Sequence, residues 1–395
     1  MDTLTRWRDE FPILARSVYM ISNSLGAMPR GVDASLADYT TTWGSRGVRA
    51  WAERWWDMNR EVAAAVAPIV GADATTLSLH ENVTTAHAVV LSTLPPPGRR
   101  NRIVCTAGDF PSIVYLLRAQ QALGFTVTVV PAADDLTVNP ERVAAAIDDR
   151  TALVAVSHVL FKSSYILDPL PIIERAHAAG APVMLDLYQS AGIVPVDLAA
   201  LDVDFAAGGC LKWLCGGPGN AFLYTHPERQ RTARPRFQGW MAHPHPFAFS
   251  CDDFTPLDDA RRMMNGTPSI PAYYAALPGL RILGEIGVDR IRAASCALTA
   301  ALLEAVDARG FTTIASRDPE RLAGTVAVDV PDALQVARTL NARDFVVDYR
   351  PGVGIRLSPH FYNTQDEVDA VISEIARIVE RRDYIGYPHN ATPVT

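Results

Sequence analysis

From about residue 56 to residue 225 the sequence alternates between helix-like and strand-like segments. Short apolar runs, such as RIVCT (102–106) and PVMLD (182–186), are separated by amphipathic stretches of ten or more residues. Several of these stretches begin with a capping Asn or carry an early Pro, as helices do. Strands joined by helices of this length need crossover connections, which favour parallel pairing. The pattern therefore predicts an α/β fold with a mostly parallel central sheet that is flanked by helices.

The pattern changes after about residue 230. A Pro- and aromatic-rich segment, RPRFQGWMAHPHPF (234–247), is typical of a loop, and two long helical stretches and a mixture of strands and helices follow it. We therefore predict a large α/β domain over residues 56–270 and a smaller α+β C-terminal domain over residues 271–395. The first 55 residues are expected to pack on the small domain.

Composition excludes several classes of function. The net charge of −7 and the lack of a long basic run argue against nucleic acid or an anionic membrane as a partner. No apolar stretch approaches the roughly 18 to 20 residues of a membrane span, and the start of the chain has no apolar signal core. We expect a cytoplasmic protein whose five cysteines are reduced thiols. His243 and His245 lack a third ligand nearby, so no metal site is predicted.

One lysine lies in an apolar, glycine-rich segment, GGCLKWLCGGPG (208–219). Lys212 is the only charged residue among these twelve, and five of the others are Gly. An unpaired ammonium costs several kcal/mol when it leaves water. Such a lysine is therefore expected to be paired, deprotonated or used covalently.

Three further features lie where the predicted sheet would bind a ligand, beyond the carboxyl ends of its strands. Asp186 ends a buried strand, Thr84 and Thr85 open a helix whose first turn can hold a phosphate, and Phe110 lies in a strand-to-helix loop. Each has an ordinary explanation by itself, as a loop staple, a helix cap or a core side chain. Together with Lys212, they match the parts of a pyridoxal phosphate site.

The segment from Ser157 to Tyr224 resembles the class V group of fold-type-I pyridoxal-phosphate enzymes, and kynureninase-like members are the most similar. Six other segments have kynureninase-like counterparts in the same order: NSLGAMPR (23–30), RGVRAWAERWW (46–56), DFPSIVY (109–115), QGWMAH (238–243), NGTPSIP (265–271) and VVDYRPGVGIRLSPHFY (346–362). The resemblance implies fold type I and pyridoxal 5'-phosphate as the cofactor.

The resemblance also implies a role for each matching residue around the cofactor. Lys212 would form the Schiff base and later carry protons, and Asp186 would pair with the pyridinium nitrogen. Phe110 would stack on the cofactor ring. Thr84 and Thr85 would hold the phosphate.

Other matching residues imply a substrate site and a second subunit. Trp240 and Thr267 match residues that reach the phosphate of the partner subunit in relatives, which implies a homodimer with shared active sites. Arg356 matches the arginine that binds the α-carboxylate of an amino-acid substrate. Asn23 and Trp51 are assigned to the substrate pocket.

Three positions differ from the kynureninase pattern. Leu211 stands where kynureninases have a tyrosine, and Ile113 stands where they have an aspartate. Gln189 replaces a histidine and is similar to the glutamine that touches the 3′ oxygen of the cofactor in the cysteine desulfurase and epimerase branches.

We therefore expect a pyridoxal-phosphate-dependent enzyme that acts on an amino acid. The overall resemblance favours kynureninase-like hydrolytic Cβ–Cγ cleavage, and Trp51, Trp55 and Trp56 are candidates for an aryl pocket. The alternatives are a C–S lyase or desulfurase-like β-elimination, for which Cys251 is a candidate thiol, and an epimerase, transaminase or decarboxylase of a specialised pathway. A binding or regulatory protein without catalysis has no reason to keep a buried lysine, which argues against that class.

Overall fold

The computed structural model describes residues 4–252 and 254–384, and a seven-stranded sheet lies at its centre. In chain order the described strands are β1 (Val18–Tyr19), β2 (Leu77–His80), β3 (Arg102–Thr106), β4 (Thr126–Val130), β5 (Thr151–Ser157), β6 (Val183–Asp186), β7 (Phe205–Gly209), β8 (Ala221–Thr225), β9 (Val326–Val328), β10 (Phe345–Val346), β11 (Asp348–Arg350) and β12 (Gly354–Leu357).

The α-helices connect these strands and cover the sheet. In chain order the described helices are α1 (Gly31–Arg46), α2 (Trp56–Val66), α3 (Val83–Thr93), α4 (Pro111–Ala119), α5 (Pro140–Ala145), α6 (Leu170–Ala178), α7 (Leu198–Leu201), α8 (Pro227–Thr232), α9 (Ile270–Ile286), α10 (Val288–Ala308), α11 (Ala333–Ala342) and α12 (Gln365–Arg381).

The central sheet confirms the predicted fold class. Its strand order is β2-β8-β7-β6-β5-β3-β4, and the pairs from β7 to β4 are all parallel. The two pairs made by β8 are antiparallel. β2 is absent from the sequence-based prediction, because an alternation over only four residues, Leu77–His80, is too short to stand out as a strand.

Local capping explains why several helices begin where they do. The Asn82 side chain accepts a hydrogen bond from the backbone N–H of Thr85 at the start of α3, and Asn139 caps α5 in front of Pro140. Thr364 and Glu367 form a reciprocal capping box at α12. These side chains satisfy backbone donors that the helices themselves leave free.

A smaller sheet with the order β11-β12-β9 forms the second part of the structure. It shares an apolar core with α10, α11 and α12, in which Leu302, Val336 and Ile375 are buried. The preceding helix α9 packs instead on α1 and α2 and belongs to the core of the large sheet. The division at residue 270 stays a prediction, and it coincides with the start of α9.

The N-terminal segment contacts both parts of the structure. Its strand β1 pairs in parallel with β10, and Arg8 is ion-paired with Glu367 of α12 at 2.5 Å, so this segment contacts elements of the C-terminal part. Its packing on a separate small domain stays a prediction. Helix α1 lies on the other part, against α9. Within the described residues, every helix is too short or too polar to cross a bilayer.

Candidate active site

A cavity of about 340 Å³ lies at the carboxyl ends of the parallel strands. This is the edge at which doubly wound sheets bind ligands. Seven of the predicted site residues line it: Asn23, Thr84, Phe110, Asp186, Gln189, Lys212 and Arg356. They come from both ends and the middle of the chain, and the fold brings them together.

Lys212 follows β7 and is only 9% exposed. Burial, and then the nearby Arg356 guanidinium, lower the pKa of its amine to about 7, while Asp186 opposes the shift. A large fraction of the amine is therefore neutral near pH 7, before any ligand binds. Of the three expectations for this lysine, the structure favours deprotonation, and a neutral buried amine is ready for covalent use.

The stability of the cofactor-free protein should report this buried amine. The pKa of Lys212 is about 7 in the folded protein and 10.5 in the unfolded chain. Between these two pH values, the unfolded chain therefore binds more protons than the folded protein. The destabilisation of the folded protein by the buried ammonium is fully present below pH 7 and is lost as the pH rises towards 10.5. We expect Lys212→Met to raise the free energy of unfolding by about 2 to 5 kcal/mol at pH 6.

This gain should shrink when urea unfolding is repeated at pH 9. The matched control is Lys162→Met, because Lys162 is the other lysine of the sequence, is partly exposed and does not line the cavity. A gain that is equal at both pH values would contradict the assignment of a buried, neutral amine.

Asp186 ends β6 and is buried next to an imidazole. Its Oδ1 accepts a hydrogen bond from the backbone N–H of Tyr188 at 2.8 Å. Burial raises its pKa, and His87, the Tyr188 N–H and Lys212 act in the opposite direction. His87 bonds the Val83 carbonyl through Nδ1 at 2.9 Å, and its buried Nε2 has no partner among the described residues. A buried carboxylate in this setting suits a cationic ring nitrogen as its ligand.

The two threonines at the start of α3 differ in position. Thr84 lines the cavity, where the first turn of a helix favours an anion. Thr85 is not on the cavity wall. Its backbone N–H and its hydroxyl both donate to Asn82 Oδ1, at 2.9 and 3.2 Å. Its predicted phosphate contact would compete with this helix cap.

Phe110 offers an exposed aromatic ring beside the amine. It is 45% exposed, and its ring centroid lies 5.7 Å from Lys212 Nζ. The ring meets Phe161 edge to face at 5.3 Å, which fixes it at the cavity wall. Its predicted role as a stacking surface for a flat ring stays a prediction.

Arg356 on β12 is almost fully buried, at 2% exposure, and is held by a carboxylate that sequence reasoning missed. Asp348 lies opposite Arg356 in the antiparallel register and is ion-paired with it. The same carboxylate is ion-paired with Arg350 at 2.8 Å, and Arg350 also lines the cavity. Arg356 Nη1 donates to the Phe161 carbonyl at 2.5 Å.

The cluster of Asp348, Arg350 and Arg356 could have been predicted in part from the alternation of residues along the strands. Asp348 and Arg350 are two residues apart and so share one face of β11, and a hairpin to β12 can bring Arg356 beside them. Two guanidiniums against one carboxylate leave one net positive charge at the cavity wall. That excess suits one carboxylate of a ligand.

Gln189 and Asn23 are joined on the cavity wall. Gln189 Nε2 donates to the Asn23 carbonyl at 3.0 Å, and its Oε1 accepts from Trp213 Nε1 at 3.0 Å. The Gln189 amide is therefore used to hold the N-terminal segment in place. The side-chain amide of Asn23 is buried, and within residues 4–252 and 254–384 neither of its polar atoms has a partner. Such an amide is available to a ligand in the cavity.

Besides Thr85, three predicted residues do not line the cavity of their own chain. Trp51 packs edge to face on Trp55 at 5.4 Å, and Trp240 packs on Trp56 at 5.6 Å. Thr267 is exposed in the loop before α9. The predicted cross-subunit roles of Trp240 and Thr267 stay predictions. The predicted substrate role of Trp51 stays a prediction as well.

The arrangement fits pyridoxal phosphate. A neutral buried amine, a buried carboxylate, an exposed aromatic face and a helix N-terminus surround one cavity, and an unpartnered amide faces them. These groups complement an aldehyde, a ring nitrogen, a ring face and a phosphate in that order. The basic cluster of β11 and β12 remains for the acid group of a substrate.

Known proteins of similar sequence include several kynureninases. The kynureninase of Geobacillus thermodenitrificans (strain NG80-2) is 29% identical in an alignment 406 positions long, gaps included. The alignment covers 97% of this chain and 93% of that protein. The uncharacterized aminotransferase YcbU of Bacillus subtilis (strain 168) is 30% identical over 371 residues, which cover 94% and 97%.

Solved structures of similar fold include enzymes of sulfur chemistry. The apo cysteine desulfurase of Thermococcus onnurineus NA1 has a TM-score of 0.84 at 22% identity, with 96% of this chain and 99% of that chain covered. A C-DES mutant with glycine covalently linked to the PLP cofactor has a TM-score of 0.85 at 22% identity, with the same coverage. At this identity the likeness shows the fold and confirms fold type I.

The family profile named "Aminotransferase class-V" matches residues 18–371. This match spans both sheets and every residue that the prediction placed around the cofactor. It confirms the predicted class of enzyme and the predicted cofactor. The chain belongs to the aminotransferase class-V family of pyridoxal-phosphate-dependent enzymes.

Proposed function

We propose that this enzyme cleaves the Cβ–Cγ bond of a γ-keto amino acid of the kynurenine type by hydrolysis. The observation that carries the proposal is the cavity in which Lys212, Asp186 and Arg356 meet. The choice of reaction is supported by the relatives named kynureninase, which match 97% of the chain.

Four elements of the chain would hold the cofactor. Lys212 would bond its carbonyl carbon, and Asp186 would pair with its ring nitrogen. Phe110 would cover one ring face, and the N-terminus of α3 with Thr84 would receive the phosphate. When bound, pyridoxal phosphate supplies an electron sink for charge that develops at the carbon beside the substrate nitrogen.

Lys212 and Arg356 then have separate tasks toward the substrate. The free amine of Lys212 has a pKa of about 7, which suits a group that takes and returns a proton at the substrate α carbon. Arg356 would bind the substrate α-carboxylate through its guanidinium fork, with Asp348 holding that fork in place. Fixing the carboxylate orients the other bonds of the α carbon, which decides which of these bonds is broken before the Cβ–Cγ bond is cleaved.

The rest of the cavity wall favours a substrate whose side chain is neutral. One carboxylate balances the excess charge of Arg350, Arg356 and Asp348, so a second acid group would be left without a partner. Leu211 and Phe161 line the same cavity and add apolar surface. An aryl ketone side chain, which is neutral and flat, satisfies both conditions.

Product analysis tests this proposal directly. We expect the loaded enzyme to form an anthranilate-type product and alanine from kynurenine or 3-hydroxykynurenine, and to leave aspartate unchanged. Cysteine serves as the comparison substrate, with sulfide, alanine and pyruvate followed together. If neither kynurenine gave an anthranilate-type product, the proposed hydrolysis would be wrong.

A C–S lyase reaction is the second candidate, because Leu211 brings no hydroxyl to the place where kynureninases have tyrosine. The solved structures of similar fold include a cystine C–S lyase in complex with cysteine persulfide. Cys251 is exposed in the loop before α9 and is the candidate thiol for a persulfide route. Sulfide release that survives Cys251→Ser would indicate direct elimination, and its loss would indicate the persulfide route.

We also propose that the active unit is a homodimer in the cytoplasm. Trp240 and Thr267 would then serve the cavity of the partner subunit. The five cysteines are free thiols, which supports a reducing compartment. Sedimentation of the loaded enzyme, with Thr267→Ala assayed for loss of cofactor affinity, tests the shared site.

A further inference from the structure

A second aromatic ring contacts the Lys212 amine, and neither the predicted site nor the kynureninase resemblance assigns it a role. Tyr188 lies two residues after Asp186 and lines the cavity. Its ring centroid is 4.5 Å from Lys212 Nζ, which is closer than the 5.7 Å from the amine to Phe110. At this distance the face of an aromatic ring attracts an ammonium group.

The position of the Tyr188 ring depends on the absence of a side chain at residue 209. A Cβ placed on Gly209 would lie 2.0 Å from Tyr188 Cε2 and 2.8 Å from its Cζ. No real side chain tolerates such a contact, so any other residue at the end of β7 would push the ring away. Gly209 is three residues before Lys212, and its lack of a side chain is what admits the ring beside the amine.

The interaction is one of a ring face with a cation, rather than an ion pair. Burial and the neighbouring Asp186 raise the pKa of the Tyr188 phenol to about 12, so the phenol stays neutral at working pH. Other charged or titratable groups that face the amine act on it from the strands around it: Asp186, Asp348, Arg350 and Arg356, with the Cys210 thiol close by in sequence. Burial and the two arginines disfavour the ammonium form of Lys212, whereas Asp186 and Asp348 favour it, and the face of the Tyr188 ring adds to their effect.

We propose that Tyr188 is a positioning residue that holds the Lys212 amine against its ring face and keeps this amine able to carry a proton near neutral pH. Without the ring, burial and the arginines would hold the amine neutral over a wider pH range. An amine that must both take and return a proton works best when the two forms are balanced. This proposal rests on the proposed function in one respect only, which is that the proton on Lys212 is transferred to and from the substrate α carbon.

The test measures the protonation of Lys212 in the cofactor-free full-length chain. Acetic anhydride acetylates only the neutral amine, and peptide mass spectrometry reads Lys212 apart from Lys162, the one other lysine of the sequence. Plotting the acetylation rate against pH gives the midpoint for Lys212. We expect Tyr188→Leu to move this midpoint down by about 0.4 to 1.5 pH units, from the known strength of such contacts.

Tyr188→Phe is the conservative control, because it keeps the ring and removes the hydroxyl. It should keep the midpoint of the original protein. A midpoint that does not fall in Tyr188→Leu, or that falls equally in Tyr188→Phe, would overturn the proposal. The measurement needs no substrate and no cofactor, so a failed product assay leaves its outcome unaffected.

A second variant guards against a Tyr188→Leu protein that does not fold. Gly209→Ala should displace the ring through its new Cβ and should move the midpoint in the same direction. In the double variant the two shifts should not add, since both act through the same ring. Additive shifts, or an unchanged midpoint in Gly209→Ala with a correctly folded chain, would contradict the proposed contact.

Discussion

Replacing Lys212 by alanine is expected to remove the visible absorbance of the lysine-bound cofactor and to lower kcat by at least about 10²- to 10⁴-fold. The loss of a positioned base accounts for a factor of this size by itself. The variant also has no amine in the cavity with which to bond the cofactor, because Lys212 is the lysine that lines it. Absorbance spectra and initial rates, measured with cofactor added in excess, give both values.

The low lysine content of the chain means that one variant, Lys162→Ala, controls for the other lysine. Lys162 and Lys212 are its two lysines, and Lys162 lies against the ring of Phe161 at 5.8 Å. Lys162→Ala should keep the visible band. Borohydride reduction followed by peptide mass spectrometry should mark the peptide of Lys212 alone. A mark on Lys162, or a band that persists in Lys212→Ala, would refute the assigned attachment site.

Replacing Arg356 by lysine is expected to lower kcat/KM by about 10²- to 10³-fold. The change keeps a positive charge but loses the planar fork that binds a carboxylate through two hydrogen bonds. It also leaves one oxygen of the buried Asp348 with a poorer partner. The effect should depend on the substrate acid group, so the loss should be much smaller for the α-amide of the same amino acid.

Arg350→Lys is the matched control for this experiment. Arg350 shares the same carboxylate and lines the same cavity, but it lies on β11 and is partly exposed. We expect a smaller loss than for Arg356→Lys, and a smaller change in the preference for acid over amide. If the two variants changed places in this ranking, Arg350 would be the residue that binds the substrate carboxylate.

Most of the central sheet could be predicted because its signals are local. The strands from β3 to β7 are apolar runs bounded by capping residues, and Asn139 with Pro140 marks a helix start without any knowledge of the fold. β2 could not be found in this way, because its pairing with β8 joins Leu77 to Tyr224, and only the assembled sheet shows it. The alternation indicated the fold class, and the edge strand needed three-dimensional contacts.

The cavity could be predicted only in part, for a similar reason. Residues that end strands, such as Asp186, are placed by the rule for parallel sheets. The ion pairs of Asp348 depend on the register of a hairpin, and the contact of Tyr188 depends on an empty place at Gly209. The periodicity of the sequence indicates neither the ion pairs of Asp348 nor the contact of Tyr188. The resemblance to kynureninases, in turn, could not show which of the aromatic residues lie in the cavity of their own chain.

The pairing of β1 with β10 has a consequence for the order in which the protein is made. The paired residues Val18 and Phe345 are 345 − 18 = 327 positions apart. At bacterial or eukaryotic rates of synthesis, roughly 15 to 65 s separate their emergence from the ribosome. The large sheet has all its strands once Thr225 is made, whereas β10, the partner of β1, and Arg356 do not yet exist. A nascent chain can therefore build the scaffold early, but it becomes an enzyme only with its last strands.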